Sequence, residues 1–278
     1  MRGVSSLVGD ARGLLNKAWV VLYFASRQEV AGHHPFRWLA PRPRTLSWHS
    51  SLAPLSVSVE SGGLSSWYEI AHREAYAPTE GFRPRPGWVV VDVGANIGAY
   101  SAWAAAGLDG SGTLVAIEPN PVCFERLAVT LEQLSVDASA VQVACGDRDA
   151  EVELHFEPGF TVSSSVRPFA SASERVSVAM RTLDAIVRER GIDHIDILKI
   201  DVEGAEELVL RGAARILHDT DRVILETTAD IRPAIHRIMH DAGFALVREL
   251  VDHWGVDGLS LIAYERGGSG RDSAPATK

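Results

Sequence analysis

The chain has 278 residues, 46% of them hydrophobic, and a formal net charge of −9. That length admits one large domain or two small ones with a full-sized core, and an acidic balance without a long basic run argues against nucleic acid, whose phosphates call for clustered Lys and Arg. Two cysteines, Cys123 and Cys145, make no disulfide framework, which fits a reducing, cytoplasmic setting.

In chain order, residues 1–64 read as a helical and irregular extension with a helix at about 10–30 and a Pro/Arg-rich connector, "HPFRWLAPRPR". Its most apolar stretch, "AWVVLYFAS" at 18–26, is too short to span a bilayer. It is expected to pack on the body or on a second copy of the chain, giving a homo-oligomer. Residues 46–60 carry weak strand alternation, 65–76 read as a short helix, and "APTEGFRPRPG" as a turn-rich linker. The regular domain, 65–265, predicts strands at 88–93, 113–118, 140–145, 195–201, 222–227, 243–249 and 258–264. Helical patterns at 98–107, 121–134, 182–190, 204–217 and 230–242 separate most of them. That alternation predicts a Rossmann-like, mostly parallel sheet with helices on both faces. Two extra β-like pieces, 151–157 and 174–181, interrupt it. The last two strands are joined by only "VDHWGVDG", a link that suits antiparallel neighbours. The tail 266–278 is polar and Gly/Ser-rich, the composition of a disordered segment.

The stretch "VVVDVGANIGAYSAWAA" at 89–105 marks the candidate site, because ligands in such sheets sit beyond the carboxyl ends of the strands. A pyrophosphate cradle needs G-x-G-x-x-G; here the order is Asp92, Gly94, Asn96, Gly98 without the third glycine. An acid before the turn suits a cationic, amino-bearing ligand better than a pyrophosphate. Glu118 ends the second strand 118 − 98 = 20 residues after Gly98, where a carboxylate can accept both ribose hydroxyls. Asp147, in "CGD", is read as closing the third strand, placed to accept from an adenine amino group. Singly, each acid could be a helix cap and the glycines a tight turn. Together they describe an adenosyl ligand without phosphates, and S-adenosylmethionine fits, its carboxylate facing the helix N-terminus after Gly98.

The segments "VDVGANIGAYS", "IEPNP", "ACGD", "TVSSSV", "RTLD" and "DILKIDVEGAEELVLRGA" resemble the FkbM-type S-adenosylmethionine-dependent methyltransferases over roughly residues 65–250. The resemblance implies a class I methyltransferase fold, a seven-stranded sheet with an antiparallel last strand. It implies methyl transfer, mostly to hydroxyls of natural products or sugars. Tyr100 and Ser101 join the cofactor residues through the first of these motifs.

The fourth strand should end beside the transferred methyl group. Lys199 and Asp201 are two apart and share a face of it, and Glu203 lies just past it. Buried strands normally exclude such charges, so the choice lies between a structural ion pair and a site. The functional reading makes Asp201 the base or polar anchor for the acceptor, with Lys199 and Glu203 setting its charge. Glu226 ends the fifth strand; with Asp201 it could hold Mg²⁺, although a metal-free site is the favoured reading. His236 and His240 share a helix face and read as a surface pair; His253 and Trp254 could line an acceptor pocket, and Tyr68 and Tyr76 could cover the cofactor or simply pack in the core. The rivals are a metal-dependent form of the same reaction, an NAD-linked oxidoreductase and a non-catalytic adenosyl-binding protein.

Overall fold

A computed structural model of the chain describes residues 68–72, 74–156, 164–167, 174–251 and 258–267. The expected helix at 10–30, the alternation at 46–60, His253, Trp254 and nearly all of the 266–278 tail lie outside the described residues. Within them, no helix is long and apolar enough to cross a membrane.

A helical turn, Tyr68–His72, and a short 3-10 turn, Glu80–Phe82, precede the sheet. The strands are β1 Val89–Val93, β2 Thr113–Ile117, β3 Asp137–Val141, β4 Ala144–Cys145, β5 Ala150–Phe156, β6 Ser164–Ser165, β7 Glu174–Arg181, β8 Ile195–Ile200, β9 Thr220–Thr228, β10 Phe244–Val251 and β11 Leu259–Arg266. The helices are α1 Ala99–Leu108, α2 Pro121–Leu131, α3 Leu183–Glu189, α4 Glu206–Arg211 and α5 Arg232–Asp241. Seven strands form the main sheet in the order β10-β11-β9-β8-β1-β2-β3. All its pairs are parallel except those of β11, which runs antiparallel between β9 and β10. This is the mostly parallel, seven-stranded sheet expected from the sequence.

Alternation along the strands feeds two cores. Val90, Leu114, Ile197 and Ile224 face one, under α1, α2 and the upstream segment with Tyr76 and Phe82. Val91, Leu198, Ile200, Val223 and Leu225 face the other, under α3, α4 and α5. Every residue of β8 is buried, and each such Val, Leu or Ile contributes about 1.5–3 kcal/mol by leaving water. Because parallel strands are covered on both faces, a charge placed on β8 must be answered from within the protein.

Two predicted elements are divided. The expected strand 140–145 splits: β3 ends at Val141, and β4 pairs with β7 in a second sheet of order β4-β7-β5-β6. The extra β-like pieces form the β5–β7 pair of that sheet. The break falls at Gln142 and Val143, and just past β4 Gly146 packs on Met180, where a Cβ would lie 2.3 Å from the sulfur. Asp147 therefore does not close the third strand. The expected helix 204–217 shortens to α4 plus a 3-10 turn, Ile216–Asp219. Asp184 explains the break: its carboxylate takes the N–H groups of Arg215 and Ile216 at 2.9 and 2.8 Å, so they are lost to helical bonding.

Gly94 fixes how closely β1 and β8 meet at their carboxyl ends. Its φ is +77°, and a Cβ there would lie 1.8 Å from the carbonyl oxygen of Asp201. Gly191 has φ +66° with nothing within 4 Å of its Cβ position. Gly191→Ala should cost only the left-handed penalty of about 1–2 kcal/mol. Gly94→Ala should cost at least about 2 kcal/mol more, because backbone must move. Urea unfolding of both variants measures the difference, and equal losses would show that the Asp201 carbonyl yields freely.

Candidate active site

The turn after β1 closes on itself. The N–H groups of Gly94 and Ala95 donate to the Ile117 carbonyl at 2.9 and 3.0 Å, and that of Gly98 to Ala95 at 2.8 Å. Asn96 donates its N–H to Glu118 Oε2 at 2.8 Å, and its own side-chain oxygen takes the N–H of Ile97 at 2.7 Å. Gly98 has φ +89°, and a Cβ there would meet Leu127 and Thr130 at 3.0 Å, so α1 and α2 approach closely over it. No N–H of residues 94–98 is left to cradle a phosphate, which agrees with the missing third glycine.

Glu118 follows β2 and is 4% exposed. The N–H of Asn120 holds its Oε1 at 2.8 Å while Asn96 holds Oε2. Both oxygens are thus fixed in the wall of a cleft of about 620 Å³, including its open mouth, lined also by Gly94, Asn96, Val143, Leu154, Ser164, Asp201 and Glu203. Desolvation raises the Glu118 pKa to about 7 against the lowering effect of its two backbone donors. Asn120 also caps α2 through the N–H of Val122 at 2.9 Å and donates to Ser164 Oγ at 2.8 Å. Ser165 Oγ donates to the Glu203 carbonyl at 2.8 Å. The serines of "TVSSSV" therefore tie the second sheet to both sides of the cleft.

Behind the cleft lies a buried charge cluster. Register pairs Asp92 with Lys199 on neighbouring strands. Lys199 Nζ stands 3.0 Å from Asp92 Oδ1 and 3.6 Å from Asp201 Oδ2, and donates to the Gly94 carbonyl at 2.8 Å. It also lies 5.7 and 5.8 Å from the ring centres of Tyr76 and Tyr100, within cation–π range. Desolvation acts most strongly to lower its pKa, but Asp92, Asp201 and Glu226 together outweigh it, and the ammonium is held above its ordinary value. Ser101 Oγ donates to Asp92 Oδ2 at 2.6 Å.

The residues expected at the site thus separate by depth. Gly94, Asn96, Glu118, Asp201 and Glu203 line the cleft. Asp92, Tyr100 and Ser101 are at most 2% exposed and support the wall from behind; Asp92 faces Lys199 and Ser101. Tyr100 is sealed by the rings of Tyr76 and Trp103, and desolvation followed by Asp92 raises its pKa. Asp147 is not among the lining residues and pairs with Arg148 at 3.0 Å. Glu226, partly buried, acts electrostatically on both Tyr76 and Lys199. His236 contacts the Tyr264 hydroxyl at 2.7 Å and His240 contacts Asp241, so the helical pair has separate partners.

Two residues gain roles that the sequence reading did not assign. Glu206 is 1% exposed. Its Oε1 takes the N–H groups of Gly204 and Val202 at 2.9 and 3.3 Å, while Oε2 is buried without a hydrogen-bond partner among the described residues. Desolvation raises its pKa to about 7. It shapes the loop in which Glu203 takes φ +55°. Glu203 itself is exposed, so solvent screens it; partial desolvation, then Asp201 and Glu206, raise its pKa. An acid in the first turn after "VEG" was the available signal. Tyr76 is 2% exposed and donates its hydroxyl to Asp201 Oδ2 at 3.1 Å. It is a core residue and an Asp201 partner at once.

Residues 92–252 match the Methyltransferase FkbM domain family. Methyltransferase sdnD of Sordaria araneosa is 29% identical over 211 residues, covering 64% of this chain and 81% of that protein. The 31-O-demethyl-FK506 methyltransferase FkbM of Streptomyces tacrolimicus is 29% identical over 201 residues, covering 61% and 77%. The crystal structure of methyltransferase FkbM from Methylobacillus flagellatus is 15% identical with a TM-score of 0.48, and the match covers 95% of this chain and 58% of that one.

Two outcomes are expected. Titration of S-adenosylhomocysteine should show affinity falling as the pH drops through about 7, where Glu118 takes up a proton, and levelling off about tenfold to a hundredfold lower. Glu118→Gln should bind about tenfold to a hundredfold more weakly with that pH dependence removed; an unchanged affinity and pH dependence would take Glu118 out of the cofactor site. Tyr76→Phe removes one donor from Asp201, so kcat should fall with cofactor affinity intact; a purely packing residue would leave kcat unchanged.

Proposed function

The chain belongs to the FkbM methyltransferase family, and from that premise we propose that it moves the methyl group of S-adenosylmethionine to a hydroxyl oxygen of a small natural product or sugar. The observation that carries the reading is the placement of Asp201. It is a partly exposed carboxylate lining the Glu118 cleft, with one oxygen held by Tyr76 at 3.1 Å and by Lys199 at 3.6 Å. The S. tacrolimicus relative is named as a 31-O-demethyl-FK506 methyltransferase, a name that puts its methyl group on oxygen.

The cleft suits the cofactor on its own chemistry. Glu118 keeps acceptor capacity on both oxygens for a pair of ribose hydroxyls, and Val143 and Leu154 offer flat apolar walls to a base. Asn96 and the turn at Gly94 would stand against the amino-acid end. When bound, the sulfonium supplies a methyl group already activated for displacement. The protein's remaining work is alignment, exclusion of water and control of one proton. Asp201 receives or anchors the acceptor's hydroxyl proton. Lys199 and Tyr76 keep its carboxylate oriented, and Glu203 stands beside it in the cleft lining.

The metal-free form of the reaction is the reading we favour, because Lys199 already supplies a cation beside Asp92 and Asp201. The metal-dependent form would use Asp201 and Glu226 as ligands to Mg²⁺. With a base alone, Asp201→Asn should lower kcat by about 10²–10⁴, Glu226→Gln should be mild, and a chelator should change nothing. Turnover that stops with chelator and returns with Mg²⁺ would establish the metal-dependent form. Full activity in Asp201→Asn would remove Asp201 from both.

A further inference from the structure

A second polar cluster lies at the opposite end of the sheet, where β8 and β9 begin. Their register pairs Ile195 with Thr220 and Ile197 with Arg222, which sets Asp196 beside Asp221. These two acids are 7% and 8% exposed. Like charges facing each other on adjacent strands repel, and burial makes that worse. Asp196 Oδ2 takes the N–H of Val89 at 2.7 Å, whereas the closest cationic side-chain atom to Asp221 among the described residues is His194 Nε2, too far for a good hydrogen bond. The neighbouring guanidinium of Arg266 acts on Asp221 through its charge, but its hydrogen bonds go to the carbonyls of Thr220, Ala242 and Leu217.

His194, just before β8, places Nε2 3.5 Å from Asp196 Oδ1 and 3.5 Å from Asp221 Oδ2. This nitrogen is buried and makes no hydrogen bond among the described residues. An imidazolium paired with one acid would close to about 2.7–2.9 Å; here it stands back equally from both. Ligands bound at about 2.1 Å around a tetrahedral ion lie about 3.4 Å apart. We propose that His194, Asp196 and Asp221 bind one divalent first-row cation of the zinc class, with solvent completing the shell on the side where His194 is exposed. An imidazole with two carboxylates suits such ions better than Ca²⁺ or Mg²⁺. The ion would staple the starts of β8 and β9 and, through Asp196, reach β1. It is separate from the methyl-transfer cleft at the other ends of these strands.

The test uses the full chain, stripped with chelator and dialysed, and Zn²⁺ alone. Calorimetric titration should find one tight equivalent that raises the melting temperature. His194→Ala and Asp221→Asn should each weaken it at least a hundredfold, while His240→Ala and Asp201→Asn should leave it intact. Absence of the tight equivalent, or its survival in both site variants, overturns the proposal. A measurement without metal gives an independent arm. If the acids are an unanswered pair awaiting a cation, stripped Asp221→Asn melts above stripped wild type. If His194 already answers them as an ion pair, the variant melts lower, and the proposal fails.

Discussion

The site depends on one buried ammonium. Lys199 is 3% exposed on a strand whose every residue is buried, so its charge must be compensated inside the protein. Asp92 from β1, Asp201 from the end of β8 and the carbonyl of Gly94 provide that compensation. Each contact belongs to a different part of the site. Asp92 is the last acid before the glycine turn, Gly94 is the turn itself, and Asp201 lines the cleft. One cation thereby links the glycine turn to the Asp201 side of the cleft, so a displacement of either is felt by the other.

The surroundings reinforce the same link. Gly94 lets the turn come against the Asp201 carbonyl, which a side chain would block. Tyr76 adds its hydroxyl to Asp201 and its ring to Lys199. It comes from a segment upstream of the residues that match the family, so that segment completes the site. On the far wall, Ser164 and Ser165 join Asn120 and Glu203 across the cleft, and Glu206 holds the loop that presents Glu203. The Glu203 side of the cleft is therefore held by hydrogen bonds although much of it is loop.

How far this was legible in the sequence differs by residue. The glycine turn and the place of Glu118 in the cleft wall were legible because close backbone approach requires glycine and an acid at the end of the second strand falls beside that turn. Lys199 and Asp201 stood out because charge in a buried strand needs a reason. The depth of Asp92, Tyr100 and Ser101 was not legible, since a motif gives their order along the chain and not which side of the wall each faces. Asp147 was misplaced because "VQVACGD" reads as one strand, while the chain leaves the main sheet after Val141 and joins a second sheet at Ala144. Glu206 and Tyr76 depend on contacts with the Gly204 loop and with Asp201, the latter 125 positions away, and no local pattern encodes the latter.

The most direct test of the claim that Lys199 and Asp92 act as one unit is a double-mutant cycle on folding stability. Lys199→Met alone leaves Asp92 buried and unanswered and should cost about 3–5 kcal/mol. Asp92→Asn alone should be costly for the converse reason. The double variant should lose distinctly less than the sum, with a coupling of at least about 1.5 kcal/mol by urea unfolding. Strictly additive losses would mean that the two charges do not depend on each other, and would contradict the account.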